Sequence, residues 1–205
     1  VSADFATYVV EESGLGDFDK TALIKKLTGK IVNVTPFITN ENEGFNGSCS
    51  VQDLETMLQL IHLYFTVPRT DDVAFNAMVK RMKAVLDNRS LEPESAIQDS
   101  VQVLLANHNP RVRPMTSALL DEANIKRMKS IFKARFGDPG SFTFYFVGNI
   151  DLTTAKPLME KYLGGLPKVS RDETWVDNNV RPPVGKVTKE IKREMKVPKG
   201  TVYIT

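Results

Sequence analysis

Phe142-Thr143-Phe144-Tyr145-Phe146-Val147, entered through Ser141, is the stretch on which the fold class turns. In extended chain, alternate side chains point to opposite faces, so Phe142, Phe144 and Phe146 share one face and Thr143, Tyr145 and Val147 the other. Neither face is plainly polar. That predicts a central strand, covered on both sides, rather than a surface ribbon.

Helical patterns lie on the N-terminal side of this strand. Leu54, Met57, Leu58, Ile61 and Phe65 recur at helical spacing after Asp53, and Phe75, Met78, Val79, Met82, Val85 and Leu86 repeat the pattern beyond Pro68. Ile97, Val101, Leu104 and Leu105 mark a third helix, ended before Pro110, and Ile125, Met128 and Phe132 a fourth that stops at Gly137. Further upstream, Ala3 to Val10 reads as a short apolar helix closed by Ser13-Gly14-Leu15-Gly16. Asp17 or Asp19 then caps a helix that runs through Leu27 and ends at Gly29.

Ile31 to Ile38 and Phe45 to Val51 are strand-like segments on either side of the polar turn Asn40 to Gly44. They predict a β-hairpin, with Pro36 placing the first strand at an edge or a bulge. On the C-terminal side, Asp151 opens a helix towards Leu163, and Pro157 is expected to kink it or restrict its regular part to the C-terminal side. Gly164 to Gly185 reads as a long surface strap with Trp175 pinned to the body. Lys186 to Met195 and Thr201 to Ile204 read as further strands. The fold class expected is therefore α+β: a mainly antiparallel sheet containing Phe142 to Val147, with the helices after Asp53, Asp71, Glu94 and Asp121 on one face.

Composition narrows the function classes. The 205 residues are 41% hydrophobic and 25% charged, long enough for one good core. Lys and Arg number 27 against 25 for Asp and Glu, scattered rather than gathered, which argues against nucleic acid or an anionic membrane as partner. No run approaches the roughly 20 apolar residues that would span a bilayer. A lone cysteine, Cys49, cannot form an internal disulfide.

Few residues could carry chemistry. Catalytic zinc sites draw about three ligands from His, Glu, Asp and Cys at fixed spacing. The two histidines do not supply this: His62 has no second His or carboxylate three or four residues on, and His108 sits in the helix-ending cluster Asn107 to Pro110. Cys49 has no local base to make it a nucleophile. Glu92 and Glu94 flank Pro93 at a helix start, where carboxylates favour the helix dipole, and Glu11-Glu12 reads as a solvated pair. Gly14 and Gly16 lack the third glycine and preceding strand of a dinucleotide fingerprint. Gly164-Gly165 follows a helix and caps it. The aromatic strand lacks the interleaved Arg and Lys of an RNA-stacking sheet.

Several segments, taken in order, resemble the insulinase/pitrilysin family of zinc metallopeptidases, which includes the mitochondrial processing peptidases. They are Ser13-Gly14-Leu15-Gly16 before a helix and a hairpin containing Glu43-Gly44; Leu54-Glu55 to Tyr64; Pro68 and Asp71 with Phe75; and Asn109-Pro110-Arg111 with Pro114. The most specific is Phe142 to Gly148, leading into Pro157-Leu158 and Tyr162 to Pro167. Together they span roughly residues 3 to 205 of the chain.

Active members carry an inverted zinc motif, H-x-x-E-H, on the first helix of a catalytic half, with a further Glu downstream. No such motif occurs here. On the corresponding helix Thr7 and Glu11 fall near the histidine positions and Val10 near the base, so the resemblance is to the family's degenerate half. It implies no catalytic or metal residue in this chain and no catalysis by it alone. Zinc is expected in a catalytic half of the same polypeptide, and an unfolded peptide is enclosed between the two.

The resemblance further implies that residues 1–205 are a single inactive domain, an excerpt lacking the half-domain's first strands and its C-terminal end. An Arg and a Tyr that reach the substrate would then lie beyond Thr205. The compartment it suggests is the bacterial periplasm or cell envelope. A purely structural domain of the same fold, without a peptidase partner, is the alternative.

Overall fold

A computed structural model describes residues 1–169, 174–192, 200–202 and 204. Its elements are α1 (Ala6–Ser13), α2 (Lys20–Lys26), β1 (Val32–Ile38), β2 (Glu43–Cys49), α3 (Leu54–Thr66), α4 (Asp72–Ser90), α5 (Pro93–Leu105), α6 (Ile125–Phe136) and α7 (Leu152–Tyr162). They fall into two compact units, residues 1–80 with 122–173 and residues 81–121 with 174–205.

The α+β class expected from the sequence is the one observed, and the helix starts follow local chemistry. Asp19 caps α2 by accepting from the Ala22 N–H at 2.8 Å, Asp71 does the same for Ala74 at 2.8 Å, and Asn124 for Arg127 at 3.0 Å. Pro93 occupies the first turn of α5, where its missing N–H costs nothing. In the first unit α3 packs on both strands, α1 on β1, α6 on α1 and α7 on α3. Val9, Val10, Leu58, Met128, Phe132 and Phe136 are all buried there. Phe132 and Phe136, one turn apart on α6, stack with centroids 4.4 Å apart.

The hairpin shows how a proline fits inside a strand. Thr39 N–H donates to the Asn42 carbonyl (2.7 Å) and Ser50 N–H to that of Ile31 (2.9 Å), which fixes the parity of the antiparallel register between them. Pro36, opposite Phe45, therefore occupies a non-hydrogen-bonded position. Its missing N–H would have pointed away from β2, so the ladder runs on without a bulge and β1 is an edge strand.

In the second unit Arg89 grips Asp99 with two bonds of 2.5 and 3.1 Å, and Lys83 reaches Asp121 at 2.5 Å. Asn109 donates its side-chain amide to the Asn179 carbonyl at 3.1 Å.

Several expectations are corrected. Phe142 to Val147 joins no ladder among the described residues and has no regular secondary structure; the sheet there is β1 and β2 alone. Period-two patterning sets which faces are apolar, whereas pairing needs a neighbouring edge. Pro157 lies inside a continuous α7. Its first turn is held separately by Asp151, which accepts from the Thr153 N–H and from both threonine hydroxyls, so the proline removes only one interior bond. Trp175 is 79% exposed and is not pinned. Residues 186–192 form no strand, and the rest of the expected 186–195 strand lies outside the described residues. Of the expected strand from Thr201 to Ile204, residue 203 lies outside them as well, and Val202 and Ile204 are exposed.

Candidate functional site

Thr7, Val10 and Glu11 stand at i, i+3 and i+4 on α1, and so share one face of the helix. Thr7 and Val10 are buried and Glu11 is half-buried. Burial pushes the Glu11 carboxyl above its usual range, opposed by Lys20 and reinforced by Glu12. Lys20 pairs with the neighbouring Glu12. Below α1, the Tyr64 hydroxyl reaches the Val34 carbonyl at 3.3 Å; its pKa is raised by burial and then by the charge of Glu11.

A raised carboxyl holds its proton more tightly in the folded than in the unfolded state. The stability it contributes is complete below the unfolded pKa and is lost as pH rises through the folded one. Glu11→Gln, neutral at every pH, is therefore expected to raise the melting temperature more at pH 7 than at pH 4. Equal changes at both, or a loss confined to pH 7, would contradict this.

The first turns after α1 are structural. Gly14 adopts φ 89°, and a Cβ there would come within 2.2 Å of the Phe18 carbonyl oxygen. Ser13 Oγ donates to the Val9 carbonyl at 2.6 Å and accepts from Asp71 N–H at 2.9 Å, while Arg69 clamps the carbonyls of Ser13 and Gly16, each at 3.2 Å. The Ser13–Gly16 motif thus ties α1 to the start of α4.

Neither histidine is placed as a ligand. His62 Nδ1 lies 2.8 Å from the Tyr162 carbonyl, which can only accept, so Nδ1 carries the proton. The Tyr162 hydroxyl donates to Glu55 at 2.7 Å and accepts from Gln59 at 3.0 Å, pinning α7 to α3. His108, with Asn107, takes positive φ in the turn that ends α5, and its N–H closes on the Val103 carbonyl at 2.9 Å. Burial and then Asp53 push the Cys49 thiol up, away from reactivity. Glu94 and Pro93 lie in the first turn of α5.

Among the described residues no three His, Cys, Asp or Glu side chains come together to hold a metal. The donors present do not fit a catalytic zinc ion. The isolated chain should retain no stoichiometric zinc after dialysis, as read by elemental analysis. One tightly held zinc per chain, lost in His62→Ala or His108→Ala, would overturn this.

Sequence reasoning missed a cleft in the first unit. A cleft of about 790 Å³ runs between Glu41–Gly47 on one wall and Ser141–Phe146 on the other, with Met57 and Ile61 of α3 between them. At one end Arg135 reaches Glu43 at 2.6 Å, a pair 92 residues apart in sequence that no local signal announces. A smaller cavity of about 360 Å³ is lined by Val10, Phe65, Pro68, Phe132 and Phe136, with Lys129 and Lys133 among its other residues.

Residues 123–205 match the family described as Peptidase M16 inactive domain. A zinc protease PQQL-like protein of Arabidopsis thaliana is 32% identical over 119 residues, 57% of this chain and 12% of that protein. The probable zinc protease PqqL of Haemophilus influenzae is 21% identical over 199 residues, 97% of this chain and 21% of its own length. The chain thus spans about a fifth or less of these relatives.

Among solved structures, the periplasmic protease PqqL of Escherichia coli superposes with a TM-score of 0.67 at 18% identity, covering 83% of this chain and 19% of that one. The ferredoxin protease FusC, in complex with Arabidopsis ferredoxin, superposes with a TM-score of 0.66 at 16% identity, covering 88% and 20%. At these identities the superpositions speak for the fold.

Proposed function

Because this chain belongs to the insulinase-like M16 peptidases and matches their inactive domain over residues 123–205, we propose that it is the non-catalytic, substrate-enclosing half of a zinc metalloendopeptidase. A sister half of the same polypeptide holds the zinc and hydrolyses the peptide. What supports this reading is α1, whose Thr7, Val10 and Glu11 share one face: on the resemblance Thr7 and Glu11 fall near the zinc-binding histidine positions and Val10, which cannot accept a proton, near the general base. Thr7 and Val10 serve packing instead, buried in the first unit's core.

The domain's contribution is then positional. It closes over an extended, unfolded peptide, limits that peptide's freedom and excludes water from the bond under attack. The substrate class is polypeptide; FusC, bound to ferredoxin, gives that reading its support among proteins of this fold. No described helix is long and apolar enough to cross a membrane. We place the full-length protein in the cell envelope, in line with the periplasmic PqqL of E. coli. Peptide hydrolysis by the full-length protein, compared with its catalytic half alone, is the test. Equal rates and equal apparent affinity would refute the enclosing role and leave a purely structural one.

A further inference from the structure

The smaller cavity of the first unit lies where two helices run out. α3 stops at Thr66, the chain turns through Val67 and Pro68, and α6 stops at Phe136. Core side chains make its floor: Val10 is 0%, Phe132 1% and Phe136 2% exposed, with the half-buried Phe65 beside them. Phe132 stacks on Phe136 at 4.4 Å and Phe65 meets Phe136 at 6.3 Å, so packing fixes these walls and the cavity is preformed. At about 360 Å³ it stands at the small end of sites that hold organic molecules. With about 30 Å³ for each water-sized group, it takes about a dozen non-hydrogen atoms.

The charges around this cavity are of one sign. Lys129 and Lys133, one turn apart on α6, both line it, and no carboxylate does. Both are exposed, and among the described residues neither ammonium has an ion-pair or hydrogen-bond partner. Like charges at i and i+4 repel, and an anion between them relieves this. The helix dipole accounts for Lys133, in the last turn of α6, but its field has faded at Lys129, a turn further back. Other polar groups at the rim are already used. The Val67 carbonyl accepts from the Gly16 N–H at 3.0 Å, the Thr66 hydroxyl donates to the His62 carbonyl at 2.7 Å, and Pro68 has no N–H. A peptide backbone finds few partners there, whereas a single anionic head finds two.

We propose that this cavity binds the anion of a medium-chain fatty acid. The alkyl tail lies against Val10, Phe65, Phe132 and Phe136, and the carboxylate sits at the mouth between Lys129 and Lys133. Burial of the tail supplies affinity. The two lysines orient the ligand and select an anion over a neutral alcohol of the same length. An inorganic anion leaves the apolar floor uncovered, and a long-chain acid exceeds the volume; decanoate matches it. This binding is independent of the enclosing role proposed above.

Isothermal titration of the full-length protein with sodium decanoate tests this, with acetate and decanol as controls. One decanoate per chain should bind, acetate should not, and decanol should bind about tenfold more weakly. Combining Lys129→Gln with Lys133→Gln should bring decanoate down to the affinity of decanol. Raising the ionic strength from about 0.05 to about 0.5 M should weaken decanoate alone. Both lysines are exposed, so the double variant should melt at the wild-type temperature without ligand. Thr70→Trp, which puts a large ring at the rim, should abolish binding of decanoate and decanol alike. Decanoate that fails to bind, or that binds the double-lysine variant or Thr70→Trp unchanged, overturns the proposal. Equal affinity for decanol does so too, since the lysines then have no part in recognition. A peptide ending in leucine that displaces decanoate, binds more tightly and loses this on amidation would assign the cavity to peptide ends, and the fatty acid would be rejected.

Discussion

On the function proposed above, a catalytic half separated from this domain is expected to keep its zinc and to cleave unfolded peptides on the order of a hundredfold more slowly. An unfolded peptide has many conformations, and only a few present a bond to the metal in a productive pose. Holding the peptide across two facing shells removes much of that freedom before attack, and in the best intramolecular systems such orientation is worth about 7 to 11 kcal/mol. A loose clamp on a flexible substrate should recover a minor fraction of this, and a hundredfold corresponds to about 2.7 kcal/mol. Adding this domain in trans, extended past Thr205 to include the expected Arg and Tyr region, should restore part of the activity. The chain ending at Thr205 should restore much less. Zinc content, measured alongside, separates loss of positioning from loss of the metal. A catalytic half as fast as the intact protein would remove the clamp from consideration.

Phe136→Ala is expected to destabilise the domain by about 3 to 5 kcal/mol. Phe136 is 2% exposed and stands at the junction of one ring cluster. It stacks on Phe132 at 4.4 Å and on Phe142 at 5.7 Å, and meets Phe45 at 5.1 Å and Phe65 at 6.3 Å. Truncation loses the ring's burial and leaves a cavity whose walls come from the hairpin, α3, α6 and the aromatic segment, which cannot all collapse inwards together. Against a total stability of about 5 to 15 kcal/mol the loss is severe. It should show as a lower urea midpoint with unchanged slope. Tyr145→Ala in the same chain should change the midpoint little, because that ring is exposed. A cost below about 1 kcal/mol for Phe136→Ala would mean that the cluster is not the core.

That Thr7, Val10 and Glu11 share one helical face was legible in the sequence, because spacing at i, i+3 and i+4 is a local property. The histidines were placed by the same logic: His62 lacks local co-ligands, and His108 sits where a helix must end. The cleft was not legible. Its two walls are separated by nearly a hundred residues, and the Glu43–Arg135 pair at its end has no periodicity or motif to betray it.

By itself the sequence determined where α2, β1, β2, α3, α4, α5 and α6 lie, since caps, apolar spacing and turn residues act over a few neighbours. It also determined that the zinc motif is missing. Only the tertiary structure decided that Pro36 sits at a non-hydrogen-bonded position, that α7 runs through Pro157 and that Trp175 is exposed. It likewise decided that Phe142 to Val147, for all its strand pattern, has no ladder partner among the described residues. Each of these depends on what stands next to a residue in space. Side-chain alternation specifies faces, while hydrogen bonding and burial are settled by neighbours distant in the chain.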